Sequence, residues 1–124
     1  MRSAAAEIAG KKLLCRLAPD ALHSLDPQGG VDIAEVKKRY GDRLCLIGNV
    51  NCGLMDTGTD AEVAASAEYA LRHGMPGGGY VFSTSNCIYT GMPLEHYELI
   101  LKIRHEKGVY PLPPADSSDE KEDA

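Results

Sequence analysis

Three blocks of the chain share the same order of apolar and polar residues. Each block begins with a short apolar run, passes through turn residues and continues into a segment whose apolar residues recur at helical spacing. Such repetition of strand and helix is typical of βα units. The strands are predicted at residues 21–25, 44–50 and 80–85, and the helices at residues 31–40, 59–73 and 93–106.

Helix ends support this division of the chain. Thr59 and Glu62 have the spacing of a capping box, in which each residue binds the backbone amide of the other. Residues 51–58, before this cap, are expected to form a loop. Glycines at positions 41, 74 and 108 follow the three helical patterns, as expected at helix C-termini. The apolar positions are Ile33, Val36 and Tyr40 in the first helix, Val63, Ala67, Ala70 and Leu71 in the second, and Leu94, Tyr97, Ile100, Leu101 and Ile103 in the third.

Connections of helical length require the three strands to run parallel, with right-handed crossovers. A closed (β/α)8 barrel needs roughly 250 residues, so three strands would form only part of one and leave two outer edges unpaired. The alternative is a small open α/β sheet in which the N-terminal segment adds a strand. If the N-terminal segment does not add a strand, we expect residues 3–17 to be helical, within a lead-in segment at residues 1–20.

Composition narrows the possible functions. Hydrophobic residues make up 44% of the chain and charged residues 25%, which is typical of a folded domain. The formal charge of −5 is concentrated in the Pro-rich acidic tail at residues 111–124, which we expect to be disordered. The nearly neutral body lacks the positive field that nucleic acids attract, so no nucleic-acid partner is expected. No apolar run approaches the roughly 20 residues that span a bilayer, so no membrane insertion is expected.

The four cysteines, at positions 15, 45, 52 and 87, form no closely spaced pair. This spacing argues against a disulfide-rich secreted domain and favours a reducing, cytoplasmic setting. Cys52 and Cys87 each follow a predicted strand, so a shared metal ion is one interpretation. No histidine stands at ligand spacing beside either one, and free thiols are favoured. His96 is expected at a solvated or core-edge position on an outer helix.

Two stretches carry a resemblance to a known family. The later one reads PGGGYVFSTSNCIYTGMPLEHY and contains a glycine-rich turn, a strand, a polar motif and a proline that begins a helix. The earlier one reads DIAEVKKRYGDRLCLIGNVNCGLMDTGTDAEV and contains a lysine-rich helix, a buried strand ending in Gly-Asn and a capped helix. In this order they resemble the last two barrel strands of the uroporphyrinogen decarboxylase family.

The resemblance implies the C-terminal βα units of an incomplete (β/α)8 TIM barrel at residues 21–110. It also implies a lyase that decarboxylates a tetrapyrrole in porphyrin biosynthesis without a cofactor. The alternative within the family is a methyltransferase that acts on a corrinoid protein and holds zinc. Most of either active site comes from earlier strands, so we expect the chain to be inactive alone and to need those strands or a partner chain. A non-catalytic α/β module that completes a partner's barrel is a further alternative.

Ligands of parallel α/β folds bind beyond the carboxyl ends of the strands. The substrate-binding candidates there are Asp26, Asn49, Asn51, Asn86 and Cys87. The resemblance places Asn86 where the family typically has histidine or cysteine after its last strand. Asparagine can hydrogen-bond to a carboxylate but cannot shuttle a proton near neutral pH. Asp26 fits a turn as well as a ligand contact, and backbone contacts are the favoured role of Asn49 and Asn51.

Overall fold

A computed structural model of the chain describes residues 19–23 and 25–111. Three strands run through this part of the chain: β1 (Ala21–Leu22), β2 (Cys45–Val50) and β3 (Tyr80–Thr84). The α-helices among them are α1 (Ile33–Tyr40), α2 (Cys52–Thr57), α3 (Asp60–Gly74) and α4 (Leu94–Lys107). A short 3-10 helix, Pro27–Gly29, follows β1. The chain is therefore a mixed α/β structure built from successive βα units.

The strands form one parallel sheet and lie in chain order, β1-β2-β3. Leu22 pairs with Leu46, which pairs in turn with Tyr80. Right-handed crossovers between strands that advance in a single direction place the connecting helices on one face of the sheet. The strand side chains that pack into the apolar clusters on that face are Leu22, Leu46, Val50, Tyr80 and Phe82.

Two apolar clusters form the core. The larger one lies between α3, α4 and the ends of β2 and β3, and its buried members are Val50, Met55, Val63, Ala67, Leu71, Met75, Ile100 and Ile103. The smaller one contains Leu25, Ile33, Leu44 and Leu46 and packs α1 against the sheet. Tyr80 packs against both clusters, and its hydroxyl donates to the Gly48 carbonyl. This side chain therefore links the two halves of the core.

The sequence predicts α3 and its cap correctly. Thr59 Oγ1 accepts from the Glu62 amide at 3.2 Å, and Glu62 Oε1 accepts from the Thr59 amide at 3.1 Å. The predicted inner stripe is buried, with Val63, Ala67 and Ala70 at 0% exposure. Because these side chains are small, α3 can pack closely against both the sheet and α4.

β1 is shorter than the strand predicted at residues 21–25. Only Ala21 and Leu22 pair with β2. Leu25 instead buries its side chain in the smaller cluster, and its carbonyl accepts from the Asn49 side-chain amide at 2.9 Å. A side-chain donor thus replaces the strand-to-strand hydrogen bond that a longer β1 would have made.

The prediction of a loop at residues 51–58 is wrong, because most of this segment is α2. Asn51 Oδ1 accepts from the backbone amides of Gly53 at 2.8 Å and Leu54 at 3.3 Å, which is the hydrogen bonding of a helix N-cap. Cys52 and Met55 are buried on the inner side of this short helix. Gly53 and Gly58 weaken the helical pattern in the sequence. The hydrogen bonds of the Asn51 cap stabilise the helix despite these glycines.

Three of the apolar positions of α4 lie outside the core. Leu94 is 63% exposed, Tyr97 39% and Leu101 45%. The buried positions of this helix are His96, Ile100 and Ile103. α4 packs chiefly on α3 and is the last helix of the row, so Leu94, Tyr97 and Leu101 lie away from its main contact. His96 is buried, so the expectation of a solvated position is wrong, and its contact with the exposed Asp60 puts it at the edge of the core.

The predicted lead-in helix, the alternative extra strand from the same segment and almost all of the predicted tail lie outside the described residues. Of the helices in residues 19–23 and 25–111, none has the length and apolar character needed to cross a membrane.

Candidate functional site

A cleft of about 470 Å³ opens at the carboxyl ends of the three strands. Its lining comes from the segments that follow β1, β2 and β3, namely Gln28, Cys52, Gly53, Asp56, Thr57, Asn86, Cys87 and Tyr89. This end of the strands is where parallel α/β folds bind their ligands. The position of the cleft therefore makes it the candidate site.

The wall after β1 is the 3-10 helix, Pro27–Gly29. Asp26 Oδ1 accepts from the Gln28 amide at 2.9 Å and so caps this turn. Gln28 then reaches α2, where a Cβ added at Gly53 would lie 2.5 Å from Gln28 Nε2. The Gln28 side chain therefore lies directly against Gly53, where the first two walls of the cleft meet.

Two asparagines at the end of β2 bind the backbone instead of lining the cleft. Asn49 is 5% exposed, and its side chain donates to the Leu25 carbonyl. Asn51 caps α2, and its backbone amide donates to Ser66 Oγ at 3.0 Å. These contacts fix α2, which carries four of the lining residues.

Hydrogen bonds join the ends of β2 and β3 beneath the cleft. The Cys52 amide donates to Ser85 Oγ at 3.3 Å, and the Cys52 sulfur accepts from the Asn86 amide at 3.2 Å. The Cys87 amide donates to Asn86 Oδ1 at 2.7 Å. Cys52 is buried, whereas Asn86 and Cys87 are exposed. Cys52 thus forms the floor of the cleft, and the other two residues form its rim.

Asp56 is the one charged residue in the lining. The Tyr89 hydroxyl donates to Asp56 Oδ2 at 2.7 Å, and this hydrogen bond raises the pKa of the Tyr89 phenol above its ordinary value. The phenol is therefore protonated near neutral pH. Together with the amides of Gln28 and Asn86, the cleft offers both donors and acceptors, and none of its lining residues within 19–23 and 25–111 is a cation.

A buried histidine supports α2 from the neighbouring helix. His96 is 7% exposed, and its Nδ1 lies 2.7 Å from the Met55 carbonyl oxygen. Because a carbonyl can only accept, Nδ1 carries the proton of this hydrogen bond. Nε2 lies 3.2 Å from Asp60 Oδ1. His96 therefore links α4 to the junction of α2 and α3. Its hydrogen-bond partner, Met55, directly precedes Asp56 in the chain.

A family model described as uroporphyrinogen decarboxylase (URO-D) matches residues 10–107. The chain belongs to the URO-D family. It is also similar to a uroporphyrinogen decarboxylase of Thioalkalivibrio sulfidiphilus (strain HL-EbGR7), with 29% identity over 79 residues. That match covers 64% of this chain and 22% of the relative, so the chain spans under a quarter of the relative's length. No solved structure matches the chain. The family suggested by the two sequence stretches is thus confirmed.

The residues predicted as substrate contacts have different places in this URO-D family member. Asn86 and Cys87 line the cleft. Asp26, Asn49 and Asn51 do not line it, and their side chains bind backbone amides or a carbonyl. Substrate contact by all five remains a prediction. Within the described part of the chain, no three His, Cys, Asp or Glu side chains are grouped so as to hold a metal ion.

Sequence reasoning missed Gly53 and Thr57, which lie in the segment predicted as a loop, and three further lining residues. Gln28 is assigned only to a turn, Asp56 lies in the segment predicted as a loop, and Tyr89 is assigned to packing. Each of the three lies five or six residues beyond the end of a strand. This offset of five or six residues beyond each strand end is the signal in this sequence that could have found them.

Proposed function

We propose that this URO-D family chain supplies the closing βα units of a (β/α)8 barrel that decarboxylates a tetrapyrrole. The remaining strands come from the rest of a longer polypeptide or from a partner chain, and these residues alone are inactive. The spatial order of the strands supports the proposal. Consecutive strands of a barrel advance in one direction with their helices on one face, as β1, β2 and β3 do here.

The sheet face opposite the helices supports the same proposal. In a barrel this face points inward and packs against side chains from the other strands. Val81 of the outer strand β3 is 49% exposed, and Cys45 and Ile47 of β2 are partly exposed. Apolar side chains on this face gain a packed environment when further strands close the ring.

The charge of the cleft supports inactivity of the isolated chain. A tetrapyrrole with carboxylate side chains requires cationic groups in its binding site. Among the described residues, the lining offers the Asp56 carboxylate and neutral groups, with no Lys or Arg. We therefore assign the cations to the strands that complete the barrel, and without them the described residues lack the preorganised groups that catalysis needs.

Complementation tests the proposal. The chain is mixed with a form of the Thioalkalivibrio sulfidiphilus uroporphyrinogen decarboxylase that lacks the matched region, and carbon dioxide release from uroporphyrinogen is followed. We expect release from the mixture only. Val81→Asp places a charge on the inward face and should abolish complementation, whereas Glu98→Lys on the exposed side of α4 should not. Turnover by the chain alone, or no turnover in a mixture that forms a complex, would contradict the proposal.

The same mixture of the two polypeptides also distinguishes two alternative functions. Two thiols at the cleft favour methyl transfer on a corrinoid protein as the second candidate, for which stoichiometric zinc in the purified complex is the expected result. A non-catalytic module that completes a partner's barrel would form the complex but show neither turnover nor zinc.

A further inference from the structure

Two thiols, Cys52 and Cys87, meet at the cleft from different strands. Cys52 is buried in its floor and Cys87 is exposed at its rim, and both are free thiols. We propose that they are a dithiol site for thiol–disulfide exchange with small disulfides, in which the Cys87 thiolate attacks the small disulfide first and Cys52 then resolves the mixed disulfide. This proposal does not depend on the decarboxylase activity.

The backbone brings these two residues together. Val50 pairs with Thr84 in the sheet, and the Ser85 amide donates to the Val50 carbonyl at 2.8 Å. Paired strands lie about 5 Å apart, and the two cysteines follow the paired residues by two and three positions. The two cysteines therefore start from neighbouring strand ends whose spacing is close to the separation of about 4.4–6.8 Å between the α-carbons of a disulfide.

The Cys52 sulfur already points towards the segment that carries Cys87. It accepts from the amide of Asn86, the residue directly before Cys87, at 3.2 Å. Residues 86–91 are exposed and lie outside helices and strands. Formation of the disulfide therefore requires a change only in this exposed segment after Asn86, which lies outside the sheet.

The chemical step balances with a small disulfide as the oxidant. The Cys87 thiolate attacks one sulfur of the small disulfide, whose S–S bond breaks, and the first small thiolate leaves with the bonding electron pair. The Cys52 thiol loses its proton to solvent, attacks the Cys87 sulfur and releases the second small thiolate. Two protein thiols are thereby oxidised, one small disulfide is reduced to two thiols, and a bond crosses the cleft.

The cross-link would close the site. It would join the start of α2 to the segment after β3, between Gln28 on one side and Tyr89 on the other. A ligand that enters the cleft and the disulfide would then exclude each other. A bound ligand should accordingly protect Cys87 from exchange.

The test equilibrates the full chain with oxidised and reduced glutathione at several ratios, blocks the remaining thiols by alkylation and maps disulfide-linked peptides by mass spectrometry. We expect a Cys52–Cys87 peptide as the main product, together with a higher thermal unfolding midpoint in the oxidised chain. Cys45→Ser is the matched control and should leave this product unchanged. Cys52→Ala should accumulate the mixed disulfide of Cys87 with glutathione, because its resolving thiol is lost.

Two results would overturn the proposal. One is a native chain in which Cys52 and Cys87 remain separately alkylated at the most oxidising ratio. The other is a Cys52–Cys87 yield that is the same in denaturant as in buffer, because the folded arrangement would then contribute nothing. The native chain itself gives both readouts, so they do not depend on whether a cysteine variant folds.

Discussion

Replacement of His96 by alanine should destabilise the fold by about 2–4 kcal/mol. The larger contribution is the 2.7 Å hydrogen bond from Nδ1 to the Met55 carbonyl, because its loss leaves a buried acceptor unpaired at a cost of about 1–3 kcal/mol. Loss of packing around a side chain that is 7% exposed adds about 1 kcal/mol. The contact with Asp60 counts for less, since the Asp60 side chain is 84% exposed and water screens it.

Urea unfolding followed by circular dichroism measures this cost, and an unchanged slope would show that the same surface is exposed on unfolding. His96→Asn is the informative comparison, because an asparagine amide can place a donor near the position of Nδ1, so we expect it to cost less than alanine. His105→Ala on the exposed side of α4 should change stability by less than about 0.5 kcal/mol. If His96→Ala and His105→Ala unfold at the same urea concentration, the assigned role of the Met55 hydrogen bond is refuted.

Three further predictions concern the cleft and the sheet. Asn51→Ala removes the cap of α2 and should cost about 1 kcal/mol in urea unfolding; an unchanged midpoint would contradict this. Asp56→Asn should lower the pKa of the Tyr89 phenol in a spectroscopic titration, because the charged acceptor is lost; a pKa that stays the same would exclude Asp56 as the cause. Burial raises the pKa of Tyr80, so the unfolded chain loses this proton first and stability should fall as pH rises above about 10. Tyr80→Phe should flatten that alkaline decline, and an equally steep decline would assign it to other groups.

The regular parts of the fold were predictable because their signals are local. The capping box of Thr59 and Glu62 and the stripe of α3 depend on residues within a few positions of one another, and both are observed. β1 and α2 depend on contacts from elsewhere in the chain. The length of β1 is limited by the Asn49 amide, which lies beyond the next helix, and α2 begins at a cap in a segment whose glycines obscure the helical pattern.

The site was predictable to the level of the strand ends and no further. The rule that ligands bind beyond the carboxyl ends of parallel strands places Asn86 and Cys87 at the cleft. It cannot distinguish a polar side chain that faces the cleft from one that binds the backbone, as Asn51 does. It also cannot find Asp56, whose orientation depends on an unpredicted helix. The position of His96 depends on two helices meeting and has no signal in its own sequence neighbourhood.

The order of the strands has a consequence for how the chain loses its structure under load. Each βα unit contacts chiefly the units beside it, as β1 with β2, β2 with β3 and α3 with α4. In such a row the stability is distributed along the chain much as in a repeat protein. A force applied at one end should therefore detach the units one after another. Because β1 pairs with β2 through two residues, we expect it to detach first.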